Sequence, residues 1–466
     1  MSLVFVLGIA AIALEDKIKV DKAASALLTA LVLWLLYLVN APQILAGGNS
    51  PAFLTFLAEN PDAAALPSHE QYLRFIVDNQ ITDHLGDVSS TLFFVMGAMT
   101  IIALIDAHAG FQLVADRIHT VNKRRMLWIV GGIAFVISAL LDNLATAIVM
   151  VAMLRKLIPS GRERWIYAGA VLIAANAGGA WSPVGDVTTI LLWNHGNLTP
   201  AHQVSRLILP SLTCLGVSLW IVSRFFGKHD RWDADFVARR TARNRVALPP
   251  VALRSRVVML AAGILSLAIV PLVNVWTGLP PFMSVLFGMA VLWIYTDWMY
   301  AFTPGADPEH NSFSGIFARI DMSTVFYFLG ILMAVAALES AGQLMRVSDF
   351  LDRSIHDPLL IAFFIGLMSA VLDNVALVAG TIAMYPLPDA DAAGHLAYFA
   401  ANGEFWTFLA YCAVTGGSIL IIGSATGVTV MGMEKIPFAY YTKRFTWIAL
   451  TGYVCGAGVY LLLTLL

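Results

Sequence analysis

Apolar residues fall in long blocks near 2–14, 24–46, 88–107, 127–158, 165–195, 204–226, 256–273, 280–300, 321–341, 359–386, 404–433 and 445–466. Most of them reach the roughly 20 residues that a helix needs to cross a bilayer. The first is short for a span and either extends past Glu15 or lies tilted. Four blocks are interrupted. SALLDNLATA (138–147) and SAVLDNVALV (369–378) each hold an Asp-Asn pair inside an apolar run. ANAGGAWSPVGDVTT (175–189) and TGGSILIIGSATG (415–427) hold glycine pairs and a further glycine, the first with Ser182-Pro183 as well. Proline breaks the helical hydrogen-bond ladder and glycine permits unusual dihedrals. These two stretches therefore predict discontinuous helices with free backbone groups near mid-depth.

Composition fixes the class. Of 466 residues, 59% are hydrophobic and 12% charged, and the mean hydropathy is +0.77. A soluble domain carries about a quarter charged residues. The chain reads as an all-α polytopic membrane protein with membrane lipids as its surroundings. Its net charge of −2 says nothing about partners. Cys214, Cys412 and Cys455 lie in apolar segments and read as core residues, not a disulfide framework. The N-terminus lacks a basic leader region and a small-residue cleavage site, so a first membrane segment is expected there, not a signal peptide.

Basic residues set the orientation. They gather at Lys17–Lys22, at Arg117–Arg125, at Arg155–Arg164, in a dense run from Arg224 to Arg256, at Arg319 and at Lys435–Arg444. Of the 28 lysines and arginines, Arg74, Arg206, Arg346 and Arg353 lie elsewhere. The positive-inside rule makes those six segments cytoplasmic and places both termini outside. The 127–158 block has basic residues at both ends, so it enters and returns. It predicts a re-entrant hairpin with Asp142-Asn143 at its tip. The 359–386 block is flanked by Asp349, Asp352, Asp357, Asp389 and Asp391, and predicts the same hairpin entering from outside.

The halves resemble each other. FFVMGAMTIIALIDAHAG (93–110) parallels FYFLGILMAVAALESAG (326–342), ISALLDN parallels MSAVLDN, and Gly185 stands opposite Gly423. The separations, about 231 to 238 residues, are too long for a solenoid repeat. Opposed hairpins make the halves inverted repeats, as in secondary transporters. The expected organisation is a first repeat over 1–227 (hairpin about 127–158, broken helix about 165–195). A basic cytoplasmic linker follows over 228–255, read as an orientation signal with no nucleic-acid role. A second repeat spans 256–466 (hairpin about 359–386, broken helix about 404–433). Each repeat has about five crossings, one hairpin and one discontinuous helix.

The chemistry follows from the buried polar groups. A carboxylate at the bilayer centre costs about 2.5–3.5 kcal/mol on insertion scales. Asp142 and Asp373 could simply cap helices, but Ser or Asn would cap at lower cost. Asp186 stands opposite Ser424, so pseudo-symmetry fails there and one half supplies an extra acid. Asn143, Asn374, Asn176, Thr146, Thr188, Thr189, Ser424 and Thr426 complete the candidate set. Ser138 and Ser369 read as packing residues. All these groups are hard oxygen donors, which suit Na⁺, Li⁺ or similar cations. No Lys or Arg lies at the tips or breaks, where an anion site would want one. Burial favours the protonated form of a carboxylate, so cation and protons compete for Asp142, Asp186 and Asp373. Asp106, Glu339, His108 and His84 sit at span ends as candidates for proton relay or regulation. The chain shows no P-loop, HExxH, CxxCH or suitably placed GxGxxG. Gradient-driven transport is expected, with no enzymatic activity and no cofactor.

AGGAWSPVGDVTT, LLDNLATAIVM, ALEDKIKVDKAA and AMTIIALIDAHAGF together resemble NhaD-type sodium/proton antiporters. These belong to the ion transporter superfamily, with the arsenite permeases and the divalent-anion/sodium symporters. The resemblance covers nearly the whole chain. It implies exchange of Na⁺ or Li⁺ for H⁺ across a bacterial inner membrane, a scaffold–transport division, a homodimer and an elevator motion. By motif it assigns the hairpin-tip positions to Asp142, Asn143, Asp373 and Asn374, and the first broken helix to Asn176, Asp186, Thr188 and Thr189. The family pattern expects an acid where this chain has Ala103, which leaves Asp106 alone on that span.

An anion or arsenite permease of the same fold is the nearest rival. An intramembrane aspartyl protease also pairs aspartates, but the duplicated hairpins and the absence of GxGD argue against it. A cation channel would conduct without an opposed proton gradient. Replacing Asp142 or Asp373 with Asn should abolish cation-dependent proton flux while the protein still inserts. Normal flux from vesicles carrying both variants would refute the assignment.

Overall fold

The computed structural model describes residues 1–13, 15–45, 51–118, 120–158, 160–227, 230–232, 253–301, 315, 317, 320–388, 394–421 and 423–465. Arg319 and most of the 228–255 linker lie outside them. The helices include, in chain order, α1 (Ser2–Ala13), α2 (Lys22–Val39), α3 (Thr82–Ala107), α4 (Lys123–Leu141), α5 (Asn143–Leu157), α6 (Gly161–Ala180), α7 (Val187–Asn194) and α8 (Pro200–Ser223). They continue as α9 (Leu253–Ala268), α10 (Val270–Thr277), α11 (Pro281–Ala301), α12 (Met322–Ser340), α13 (Gln343–Ile355), α14 (Pro358–Met368) and α15 (Asn374–Met384). The last four are α16 (Glu404–Gly416), α17 (Ala425–Glu434), α18 (Phe438–Arg444) and α19 (Thr446–Thr464). No strand occurs among the described residues, where Asn122 and Arg231 form an isolated antiparallel bridge. The protein is an all-α polytopic membrane protein. Among the described residues, seven helices are long and apolar enough to cross a membrane, and α9 with α10, bent by 40°, would make an eighth.

The chain folds as two compact units, and each draws on both halves of the sequence. One comprises Met1–Phe93, Asp321–His356 and Ala379–Pro386. Its core is α2 against α12. Gly330 lets the helices close: a Cβ there would lie 2.5 Å from the Leu27 backbone nitrogen. Trp34 donates to the Met333 carbonyl at 3.0 Å, and the Asp21 carboxylate accepts from Ser323 at 2.8 and 2.9 Å.

The other unit comprises Phe94–Ile320, Asp357–Val378 and Leu387–Leu466. Its helices begin and end on local signals. Asn122 caps α4, and Asp357, with Pro358 behind it, caps α14 by accepting from Leu359 and Leu360. Helices pack in matched pairs, α4 on α6 and α14 on α16. A Cβ on Gly178 would lie 2.3 Å from the Phe135 carbonyl oxygen, and one on Gly416 would lie 2.0 Å from that of Gly366. The Ser138 hydroxyl donates to the Ala175 carbonyl at 2.5 Å, and Ser369 to Ala413 at 2.7 Å. Small residues let helix backbones meet where lipid gives no hydrophobic drive to association.

The basic ends of the first half also carry structure. The Glu434 side chain is fully buried, and its carboxylate accepts from Arg155 Nε and Arg164 Nε, both at 2.8 Å. Trp165 donates to the Glu434 carbonyl at 3.0 Å. This clamp fixes the ends of α5, α6 and α17 together.

Gly178→Ala and Gly416→Ala should each destabilise the protein by about 1–3 kcal/mol, because overpacking here meets backbone and not a flexible side chain. Gly132→Ala, with nothing within 4 Å of its Cβ, should leave stability unchanged. Thermal melting of detergent-solubilised protein checks all three.

Candidate functional site

Asp142 is the whole connection between α4 and α5. Its φ of 84° and ψ of 152° lie where glycine alone is comfortable, a strain of about 1–3 kcal/mol. Its carboxylate caps α5 by accepting from Leu144 N–H at 2.6 Å. Beside it lies a recess of about 10 Å³, room for roughly one water. Phe94, Val95, Ala98, Val187 and Leu267 are among its apolar walls. Asp373 caps its own helix in the same way, accepting from Val375 N–H at 2.9 Å. The second tip is looser in outline: α14 stops at Met368 and α15 starts at Asn374.

Asp186 joins these tips. It ends the break between α6 and α7 and is 2% exposed. Its Oδ1 accepts from Thr188 N–H at 2.8 Å and from Thr188 Oγ1 at 2.7 Å. The Asn374 amide donates to both carboxylate oxygens, at 3.3 and 3.1 Å. The Asn143 amide donates to Oδ2 and lies 3.2 Å from Asn176 Oδ1. Asn176 in turn donates to Ser418 Oγ at 2.9 Å. Asp186 is also within electrostatic reach of Asp142 and Asp373. Asn143, Asn176, Asn374, Thr188 and Thr189 are all buried, and among the described residues every group bonded to the Asp186 carboxylate is an amide or hydroxyl. The arrangement gathers carboxylates, carboxamides and hydroxyls without a basic side chain.

A profile of the CitMHS family, described as a citrate transporter, matches residues 9–403. Sodium/proton antiporter 1 of Arabidopsis thaliana is 38% identical over 461 residues, covering 99% of this chain and 72% of that protein. Sodium/proton antiporter 2 of the same plant is 36% identical, covering 99% and 98%. The Na⁺/H⁺ antiporter NhaD of Alkalimonas amylolytica is 29% identical over 409 residues, 81% of this chain and 78% of that one. The chain belongs to the NhaD-type antiporters of the ion transporter superfamily. It is a transporter and not an enzyme.

The remaining residues singled out from sequence fall in different places. In this antiporter, Thr189 turns its hydroxyl to the Asp186 carbonyl at 2.8 Å, which binds it to the start of α7. Thr146, fully buried one turn beyond Asn143, has a hydroxyl with no hydrogen-bond partner among the described residues. Ser424 caps α17 by accepting from Gly427 N–H at 3.2 Å, and Thr426 is buried beside it. Among the described residues no hydrogen bond joins either to Asp186. Asp106 and His108 close the end of α3, with His108 Nδ1 at 2.8 Å from the Leu104 carbonyl. Glu339 and His84 belong to the other compact unit, where His84 Nε2 is 3.0 Å from Ser340 Oγ.

Ser418 was not singled out. The signal was present: it is the polar residue standing opposite Ala180 when the two breaks are aligned. Ser182, which donates to the Ala139 carbonyl, has Leu420 opposite and carries the same signal.

Proposed function

We propose that the protein exchanges Na⁺, or Li⁺, for H⁺, with the cation held at Asp186 and the two hairpin tips. The carrying observation is the convergence of both tip asparagines on one buried carboxylate, with no basic group bonded to it. Relatives named as sodium/proton antiporters over most of the chain support the reading. Asp186, Asp142 and Asp373 supply charge, while Asn143, Asn374, Asn176, Thr146, Thr188 and Thr189 supply neutral oxygens. Ser424 and Thr426 line the second break. Hard cations take such ligands. When the cation leaves, the amide N–H groups and protons take its place at the carboxylates, so the two substrates compete for one set of atoms.

The family profile carries a citrate description, yet an anion would have to displace Asp186 from the very amides that could bind it. Two more carboxylates nearby repel it further. The matched contacts at Phe135/Gly178 and Gly366/Gly416 support the inverted-repeat reading of the two halves. Every proposed ligand lies in one compact unit, which suits an elevator motion carrying the site whole. Positive-inside counting supports a cytoplasmic linker and outward termini.

A dye-based ΔpH assay in everted vesicles should show Na⁺- or Li⁺-driven proton movement. Asp186→Ser, which copies Ser424 into the first break, should abolish it with insertion intact. Citrate-dependent movement, or full activity in that variant, would overturn the cation site.

A further inference from the structure

Two fully buried side chains outside the Asp186 cluster hold the two breaks. Gln203, in the first turn of α8, donates from Nε2 to the carbonyls of Ala180 and Ser182, both at 3.1 Å. Tyr441, on α18, donates from its hydroxyl to the carbonyl of Ser418 at 2.6 Å. The separation that sets Gly185 opposite Gly423 also sets Ala180 opposite Ser418 and Gln203 opposite Tyr441. The same carbonyl in each half thus receives a bond from the same position of the following helix. One half uses an amide and the other a phenol. The side chains differ in size, shape and chemistry, and what they share is the bond.

Part of the reason is general. The last carbonyls of a helix have no partner within it, and membrane depth offers little water to satisfy them. That need could be met by any donor. The connections onward are more specific. Ser418 Oγ accepts from Asn176, whose Oδ1 faces the Asn143 amide that donates to Asp186. Tyr441 therefore reaches Asp186 through Ser418, Asn176 and Asn143. Gln203 holds the Ser182 carbonyl, while the Ser182 hydroxyl grips α4 at Ala139. Asp186 follows on the same short segment of the break. The Gln203 Oε1 is buried without a partner among the described residues, so the carbonyls at its donor end orient the amide.

We propose that Gln203 and Tyr441 are matched positioning residues of the cation site. Each fixes the end of its half-helix, and together they set the spacing between Asp186 and the carboxamides that reach it. The proposal rests on the cation-site reading above.

The test uses purified full-length protein in proteoliposomes, with Na⁺-dependent proton flux measured against Na⁺ concentration. Tyr441→Phe deletes one oxygen and keeps the ring; Gln203→Met keeps the length and removes the donor. Tyr441→Phe should raise KM for Na⁺ by about five-fold, the loss expected for one hydrogen bond, and Gln203→Met, which removes two, by about thirty-fold, with kcat near wild type. The double variant should show the product of the two. An unchanged KM in both variants, or a loss shared by kcat and melting temperature without a KM shift, overturns the proposal and makes the two side chains structural caps. Should wild type lack Na⁺-dependent flux altogether, the cation-site reading fails; wild-type flux that Asp186→Ser abolishes, beside unshifted KM values, removes the positioning role alone.

Discussion

The structure turns on one carboxylate that has been taken out of water. Asp186 lies 2% exposed in a membrane protein, where an unsatisfied charge costs several kcal/mol. Its own helix supplies Thr188, which satisfies one oxygen and part of the charge. The remainder comes from two asparagines, far apart in sequence, at the starts of α5 and α15. Those amides arrive because α4 lies against α6, and α14 against α16, at backbone contact. Glycines 178 and 416 are what allow that approach. The packing of α4 on α6 and of α14 on α16 therefore belongs to the electrostatics of Asp186 as much as to stability.

Capping and binding are not rival explanations for these aspartates. Asp142, Asp186 and Asp373 all cap helices. A cap engages chiefly one carboxylate oxygen and leaves the charge in place. Asp142 shows that capping alone is insufficient as an account. It holds a backbone conformation that glycine would adopt without strain, and serine would cap equally well. The carboxylate persists there against both alternatives.

Much of this was legible in the chain. The interrupted apolar blocks gave the helix ends within a few residues, because Gly, Pro and Asp leave local marks. The basic clusters were read as orientation signals, and Arg155 and Arg164 also hold buried Glu434, a tertiary contact that no local pattern encodes. The centrality of Asp186 was only half visible. Sequence showed that it broke the match with Ser424, but the tips looked like the centre because they were duplicated. Amides that donate across 43 and 188 residues of chain leave no periodic trace. Gln203 and Tyr441 were hidden for the same reason: an amide and a phenol do not look like counterparts until both are seen on the same carbonyl. The compact units were also invisible, since each takes pieces from both halves.

The asymmetry between the halves then has a physical reading. Backbone contacts repeat faithfully, as the Ser138/Ser369 and Gly178/Gly416 pairs show, and Thr188 stands opposite Thr426, while several other polar side chains do not repeat. Asp186 faces Ser424, Ala180 faces Ser418, and Thr146 faces Leu377. A second aspartate at 424 would place another charge in the same low-dielectric region, where like charges interact strongly. The two tip amides, already directed at Asp186, could not serve both. A single off-axis acid lets both tips converge on one point, and leaves Ser418 free to anchor Asn176 from the opposite break. Repeated backbone contacts with side chains that do not repeat bring both tip amides to one carboxylate.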